Sequence, residues 1–501
     1  MQAPADYERR GPFLAVSIRR YLLRGRPGAS SVNIWFVPGG PGQSSSSLES
    51  LLSVLVPLLP DGAVIYTVEH RGLGRSMPLS NGSESAVLRR FAARNDNAWL
   101  LGLLGEKQSA LGTGVPLVRI LRAENASRDL IRAILLVNQQ VAEAQSTRNY
   151  LYAVSYGTVI AQRAMQIRPD LFTAALLDGL AAAEKVEESV KSDALIEEFC
   201  RSLPNCTALL QGLGARSVRE LLGRALDSQT PCTRYFRQRF SKTGKGSLCD
   251  VLHSTLNLVL LQSSRNSLKG AIFPLLSSMT TCSDEASFFQ FADALHAQLA
   301  QALPRQLPPV ESVNDQVPSA ERIEANLNVN ELVFELVSAI ERFNITESGV
   351  NVCFQKQGPC PNWVFDPCHL FRKIYKRKEE LFHLNHTLPR LSLSGSPLIC
   401  PKTRVLVLAG SLDFQTPTYL TRGIVDNQIQ AQRLEYLEFF GRGHGIFGFG
   451  ECDVDIFSDF LNGTMGAPAC VDLMNQKTKQ DANQLLSLPL GEIARRLDND
   501  K

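Results

Sequence analysis

The sequence predicts an α/β protein: a mostly parallel sheet flanked by helices, with a large, mainly helical segment inserted into it. Three observations carry this reading. Short apolar runs alternate with helical stretches through the first third of the chain; such runs become scarce between about residues 181 and 396; and they return near residue 404. Strand, helix, strand at this rhythm is the signature of an α/β layer architecture.

Val32–Val37 and Ala63–Val68 are β-branched and aromatic runs ending in turn residues, and Asn149–Val154 and Ala174–Leu177 follow the same style. Near-continuous apolar runs fit strands covered on both faces. Between them, Arg128 to Ala144 puts Leu130, Ile131, Ile134, Leu135 and Val141 on one side of a helix. Leu51–Pro60 reads as a buried helix, and Thr158 to Ile167 is helical. Arg404–Gly410 and Leu434–Phe440 resume the buried-strand style after a polar, proline-rich connector at Pro304–Pro318. The organisation expected is a core in two parts, 1–180 and 397–475, a helical insertion at 181–396, and a C-terminal tail at 476–501.

A chain of 501 residues that is 44% hydrophobic and 20% charged is an ordinary globular composition, which excludes disorder and collagen-like repeats. Its net charge of +3 gives no electrostatic basis for binding nucleic acid or an anionic membrane. No apolar run reaches the roughly 18–20 residues needed to cross a bilayer, so no membrane span is expected. Met1–Tyr7 lacks a basic start and apolar core, so no signal peptide is visible.

The 11 cysteines all lie at or beyond Cys200. Cys353, Cys360 and Cys368 sit in Pro-, Gly- and Asn-rich sequence where a staple helps most, and their spacing is not that of Cys-x-x-Cys zinc pairs. Disulfides are the first reading and buried reduced thiols the second. The odd count leaves one cysteine unpaired or its partner missing. Sequons begin at Asn81, Asn125, Asn205, Asn344, Asn385 and Asn462, which lends some support to a secretory route.

The chemistry gathers where strands end. Strand 149–154 runs straight into Ser155-Tyr156-Gly157 and a helix, the arrangement that lifts a serine hydroxyl clear of a sheet and sets it at a helix N-terminus. The usual pattern is Gly-x-Ser-x-Gly; here Ala153 takes the first small position. Pro38-Gly39-Gly40-Pro41-Gly42 follows strand 32–37, and adjacent glycines there can turn backbone N–H groups toward an oxyanion, or simply make a tight loop. Asp413 and His444 lie just past the strands ending at Gly410 and near Phe440. A serine hydroxyl needs a base with a pKa near that of imidazole, about 6.5, and the imidazole needs a carboxylate to fix its tautomer. In an open α/β sheet these groups converge from loops at the carboxyl ends of strands, and the order Ser, Asp, His is kept.

Other ionisable residues take plainer readings. Glu69–Ser76 follows a strand but lacks the lysine of a phosphate loop, so Arg71 reads as half of a structural ion pair. His253, His296, His369, His383 and His386 form no ligand-spaced cluster, and Arg372–Lys378 is a solvated helix face.

Taken together, Pro38–Gly42, Glu69–Ser76, Ser155-Tyr-Gly-Thr158, Leu177-Asp-Gly179, Gly410–Asp413 through Thr416-Pro417, and Gly443-His444-Gly445 resemble the proline iminopeptidase and tripeptidyl aminopeptidase family of α/β-hydrolases, and more closely its secreted tripeptidyl aminopeptidase branch. The likeness runs from about Ala5 to Cys470. It implies an α/β-hydrolase fold and a serine exopeptidase that removes residues from the free N-terminus of short peptides, with neither metal nor organic cofactor. Ser155 is then the nucleophile, His444 the general base and acid, Asp413 its orienter, and the backbone N–H groups of Gly40 and Tyr156 the oxyanion hole. The inserted helices become a cap whose acids bind the substrate amine; Glu197 and Glu198 lie in it, and no motif selects between these and others. The chain departs from the family at Ala153, at Pro38 directly before the glycines, and at its start, where Ala3–Tyr7 resembles the end of an upstream stretch. A missing upstream segment would account for the absent signal and the odd cysteine, and would place the protein in the secretory pathway, secreted or in a lysosome- or vacuole-like lumen. Two other classes use the same residues: a carboxylesterase or lipase with this triad, and a non-catalytic hydrolase-fold binding protein, which retention of all three triad residues argues against.

Overall fold

The computed structural model describes residues 1–8, 12–22, 32–73, 75–76, 117–141, 147–181, 184–185, 193–241, 247–261, 269–302, 343–344, 397–447, 451–464 and 466–499. The connector at 304–318, Cys353, Cys360, Cys368, the basic run 372–378 and the sequons at Asn81 and Asn385 lie outside them.

A short antiparallel pair, β1 (Gln2–Pro4) and β2 (Phe13–Ala15), precedes the main sheet. That sheet takes β3 (Ile18–Leu22), β4 (Val32–Val37), β5 (Val64–Val68), β6 (Arg148–Val154) and β7 (Ala174–Asp178). A two-residue parallel pair follows, β8 (Glu184–Lys185) with β9 (Phe343–Asn344). Then β10 (Leu398–Gly410) and β11 (Ile429–Phe439) complete the main sheet. Its seven strands run β11-β10-β7-β6-β4-β5-β3, and all pairs are parallel except β3 with β5.

The apolar strand runs are explained by burial on both faces. In β4, Trp35 and Val37 point into one core cluster while Val32, Ile34 and Phe36 point into the other. Strands β6, β7 and β10 split the same way, with Leu151, Leu177 and Val407 on the first face and Tyr152, Leu176 and Leu408 on the second. Helices α3 (Ala123–Val141), α4 (Tyr156–Ile167) and α12 (Thr418–Gln428) cover the first face. Helices α1 (Glu49–Leu55) and α13 (Asp453–Asn462) cover the second. A one-turn helix, α2 (Leu117–Ile120), leads into α3. The helix expected across Leu51–Pro60 stops at Leu55 and gives way to a 3-10 turn, Val56–Leu58, where Val56 is 39% exposed. Pro57 removes a backbone donor there, which ends the α-helical ladder.

Between β7 and β10 the described residues are mainly helical: α5 (Asp193–Arg201), α6 (Pro204–Gly212), α7 (Val218–Asp227), α8 (Pro231–Phe240), α9 (Leu248–Leu261), α10 (Ile272–Thr281) and α11 (Glu285–Ala302). They bury a third core of their own, in which Phe236, Phe273, Phe288 and Phe291 are almost fully enclosed. The segment read as a tail from residue 476 is instead helical through Asn499, in α14 (Pro468–Leu485) and α15 (Leu490–Asn499). Leu485, Ile493 and Leu497 of these helices join that third core. The reason is amphipathic spacing: Ile493, Ala494 and Leu497 form an i, i+1, i+4 stripe that needs a partner surface.

Among the described residues, three disulfides staple the helical parts: Cys200–Cys206, Cys232–Cys282 and Cys452–Cys470. Among the described cysteines Cys400 is free, fully buried in β10, and burial pushes its thiol up to about 11. It accounts for an unpaired member in the odd count. Asn125 is a sequon in sequence alone: it is buried, and its amide donates to the Arg119 carbonyl at 2.7 Å. Asn462 at the end of α13 is exposed. Among the described residues no helix is long and apolar enough to cross a membrane, and no group of three or more His, Cys, Asp or Glu is placed to hold a metal.

Candidate active site

The turn between β6 and α4 carries Ser155. Its backbone sits at φ 54° and ψ −126°, a left-handed conformation that costs a non-glycine residue about 1–3 kcal/mol and persists only where surroundings impose it. The surroundings here are specific. The Ser155 amide donates to the Asp178 carbonyl of β7 at 2.8 Å, and its own carbonyl accepts from the Thr158 amide at 2.8 Å and the Thr158 hydroxyl at 2.6 Å. Ala153 lies in register with Val37 and Leu177 and is fully buried, so its methyl is absorbed by the first-face core. The departure from glycine at this position therefore leaves the turn intact.

Gly157 has no such latitude. A Cβ there would stand 2.5 Å from the Val37 carbonyl oxygen and 2.6 Å from that of Pro38. Both oxygens belong to the backbone entering the glycine loop, so relief requires moving that loop. Gly157→Ala is expected to cost about 1–3 kcal/mol of stability, the range for overpacking a closed site, read as a lowered denaturant midpoint at unchanged m.

The glycine loop packs directly on the Ser155 turn: a Cβ on Gly39 would lie 2.9 Å from that of Ser155. Gly40 has φ +103°, open to glycine and strained for other residues. Tyr156 is the first residue of α4, where the amides of a helix end and its dipole favour negative charge. Glu69 and His70 brace the loop from behind. The buried Glu69 carboxylate accepts from the Ser45 amide and hydroxyl, each at 2.9 Å. His70 is hydrogen-bonded to the Pro38 backbone and lies beside the Tyr156 ring, with centroids 6.1 Å apart. Burial brings its imidazole down to about 4, so it is neutral near pH 7. Arg71 forms the expected ion pair: its Nη2 and Nε donate to the Asp129 carboxylate at 2.7 and 2.8 Å, both side chains buried.

Asp413 and His444 meet. The His444 Nδ1 lies 2.9 and 3.1 Å from the two Asp413 oxygens, with Asp413 fully buried and the His444 side chain 15% exposed. Asp413 is held in turn by its own turn: Oδ1 accepts from the Gln415 and Thr416 amides at 2.9 and 2.8 Å, and Oδ2 from the Thr416 hydroxyl at 2.5 Å. An aspartate capping the amides two and three residues on is a local motif, so the Asp-x-x-Thr spacing was a legible signal for Thr416. Leu412 and Phe414, either side of Asp413, are buried in the third core, so this turn is gripped by the inserted helices.

The connection from Ser155 to that pair runs through β7. Val154 of β6, Asp178 of β7 and Leu408 of β10 are in register across three adjacent strands. Asp178 takes the Ser155 amide, and a Cβ on the next residue, Gly179, would lie 3.2 and 3.4 Å from Cε1 and Nδ1 of His444. All of these residues lie at the carboxyl edge of the parallel sheet. Glu197, by contrast, accepts from the Arg219 amide at 3.0 Å near the start of α7, and Glu198 is exposed.

This topology, a mostly parallel sheet with helices on both faces and a serine turn at its middle, is an α/β-hydrolase fold. No protein-family model and no curated protein matches the chain. Among solved structures it is similar to a proline iminopeptidase from Mycobacterium smegmatis, at 11% identity and TM-score 0.33 over 96% of this chain and 98% of that one. It is also similar to a thermostable carboxyl esterase from Bacillus coagulans, at 10% identity and TM-score 0.34 over 92% and 97%. A monoacylglycerol lipase from Paleococcus ferrophilus matches at 12% identity and TM-score 0.31 over 93% and 99%. Likenesses this distant assign no activity.

Proposed function

We propose that the protein is a serine hydrolase acting as an exopeptidase on the free N-terminus of short peptides. Ser155 attacks the scissile carbonyl, His444 takes its proton and returns it to the leaving amine, and Asp413 holds the imidazole tautomer and supports its positive charge. The N–H groups of Gly40 and Tyr156 receive the oxyanion. The observation that supports this most is the bidentate approach of Asp413 to His444 Nδ1 at the sheet edge where Ser155 occupies its strained turn. The peptide specificity rests on the strings shared with the aminopeptidase family, and the helical insertion is read as the cap over the site. The disulfides and the exposed sequon at Asn462 fit passage through a secretory lumen.

The test is a panel of fluorogenic mono-, di- and tripeptide amides, each with a free and an acetylated N-terminus, beside simple esters. Turnover of free-amine peptides that acetylation abolishes is the expected result. Efficient ester turnover with indifference to the amine would instead make the protein an esterase.

A further inference from the structure

Asp178 is a second, fully buried carboxyl group at the sheet edge, and the triad chemistry makes no use of it. Its side chain accepts from two consecutive amides just past His444: Oδ1 and Oδ2 lie 2.9 and 3.0 Å from the Ile446 N, and Oδ2 lies 2.9 Å from the Phe447 N. The Tyr152 hydroxyl adds a donation to Oδ2 at 3.3 Å. Its main-chain carbonyl, meanwhile, holds the Ser155 amide at 2.8 Å. One residue thus grips both turns. We infer that Asp178 is a positioning residue that keeps the nucleophile turn and the histidine turn in mutual register, its main chain fixing one and its side chain the other.

The chemistry of the side chain is what makes this specific. The Ile446 N–H faces both oxygens and the Phe447 N–H faces Oδ2, so a carboxylate meets every donor with an acceptor whereas an amide, in either orientation, sets an NH2 against at least one. Asparagine would aim an NH2 at one of the two N–H groups, and an apolar isostere would leave both unsatisfied. Burial pushes the Asp178 carboxyl up to about 6, against the pull of the two amides and of His444. The groups facing it are Tyr152 from β6, Asp413 past β10 and His444 past β11. Proton uptake by Asp178 below about pH 6 converts one acceptor oxygen into a hydroxyl and loosens the histidine turn. Activity then falls with the proton that Asp178 takes up, in addition to the one that silences the triad's base.

This inference rests on the assignment of Ser155 and His444, so the experiment reads that site without assuming a substrate. The rate of fluorophosphonate labelling of Ser155 is measured against pH for the wild type and Asp178→Asn. In the variant the maximal rate constant for labelling should fall by about 10²-fold, the scale for a misplaced reacting group, with probe affinity little changed. The acid limb should be steeper than one proton in the wild type and fall to one proton in the variant. Labelling of Asp178→Asn at the wild-type rate, or an unaltered limb, would overturn the inference while leaving the site standing. No labelling of the wild type would overturn the site and this inference with it. If Asp178→Asn does not accumulate folded, Asp178→Glu is labelled instead, and a wild-type rate for that variant overturns a role for Asp178.

Discussion

Ser155→Ala is expected to reduce kcat/KM by about 10⁶-fold, or about 8 kcal/mol of transition-state stabilisation, with the fold unchanged. The change removes one oxygen from a half-buried side chain. The hydrogen bonds that impose the turn all run through backbone, from the Ser155 amide to Asp178 and from Thr158 to the Ser155 carbonyl, and alanine keeps every one. Stability and activity should therefore separate: an unchanged denaturation midpoint beside near-complete loss of turnover and of fluorophosphonate labelling. Near-normal turnover by the variant would remove Ser155 from the mechanism.

Asp413→Asn should cost about 10⁴-fold in kcat, through the wrong tautomer rather than lost geometry. Asp413 Oδ1 already accepts two amides, so an asparagine settles with its oxygen toward Gln415 and Thr416 and its NH2 toward His444 Nδ1. Nδ1 must then accept, the imidazole proton moves to Nε2, and the ring can no longer take the serine proton. The Thr416 hydroxyl, 2.5 Å from Oδ2 and 3.4 Å from His444 Nδ1, loses its acceptor as well. The measurement is kcat against pH. If the profile and rate match the wild type, Asp413 is a structural cap of its own turn and nothing more.

Local pattern carried much of this protein in readable form. Strands β4, β6, β7 and β10 are runs of five to thirteen residues with apolar side chains on both faces, and no amphipathic element competes for that reading. Ser155, Asp413 and His444 could be picked out because each stands where such a run stops. The C-terminal helices were missed because their apolar stripe is short and the surface it meets, the inserted helices, is built nearly two hundred residues earlier. Asp178 stands in a recognisable Leu-Asp-Gly string, but its partners at 446 and 447 lie 268 and 269 residues away.

The order of strands along the chain and the Asp-x-x-Thr cap are local properties, fixed by side-chain period and backbone sterics within a few residues. Which turn bears on which was decided by the sheet alone. Parallel pairing in the order β11-β10-β7-β6 carries residues from four distant segments to one edge, where Asp413 reaches His444 and Asp178 ties both flanking turns. Sequence distance gives no information about that edge, because it is created by hydrogen bonds between strands that only the folded chain brings together.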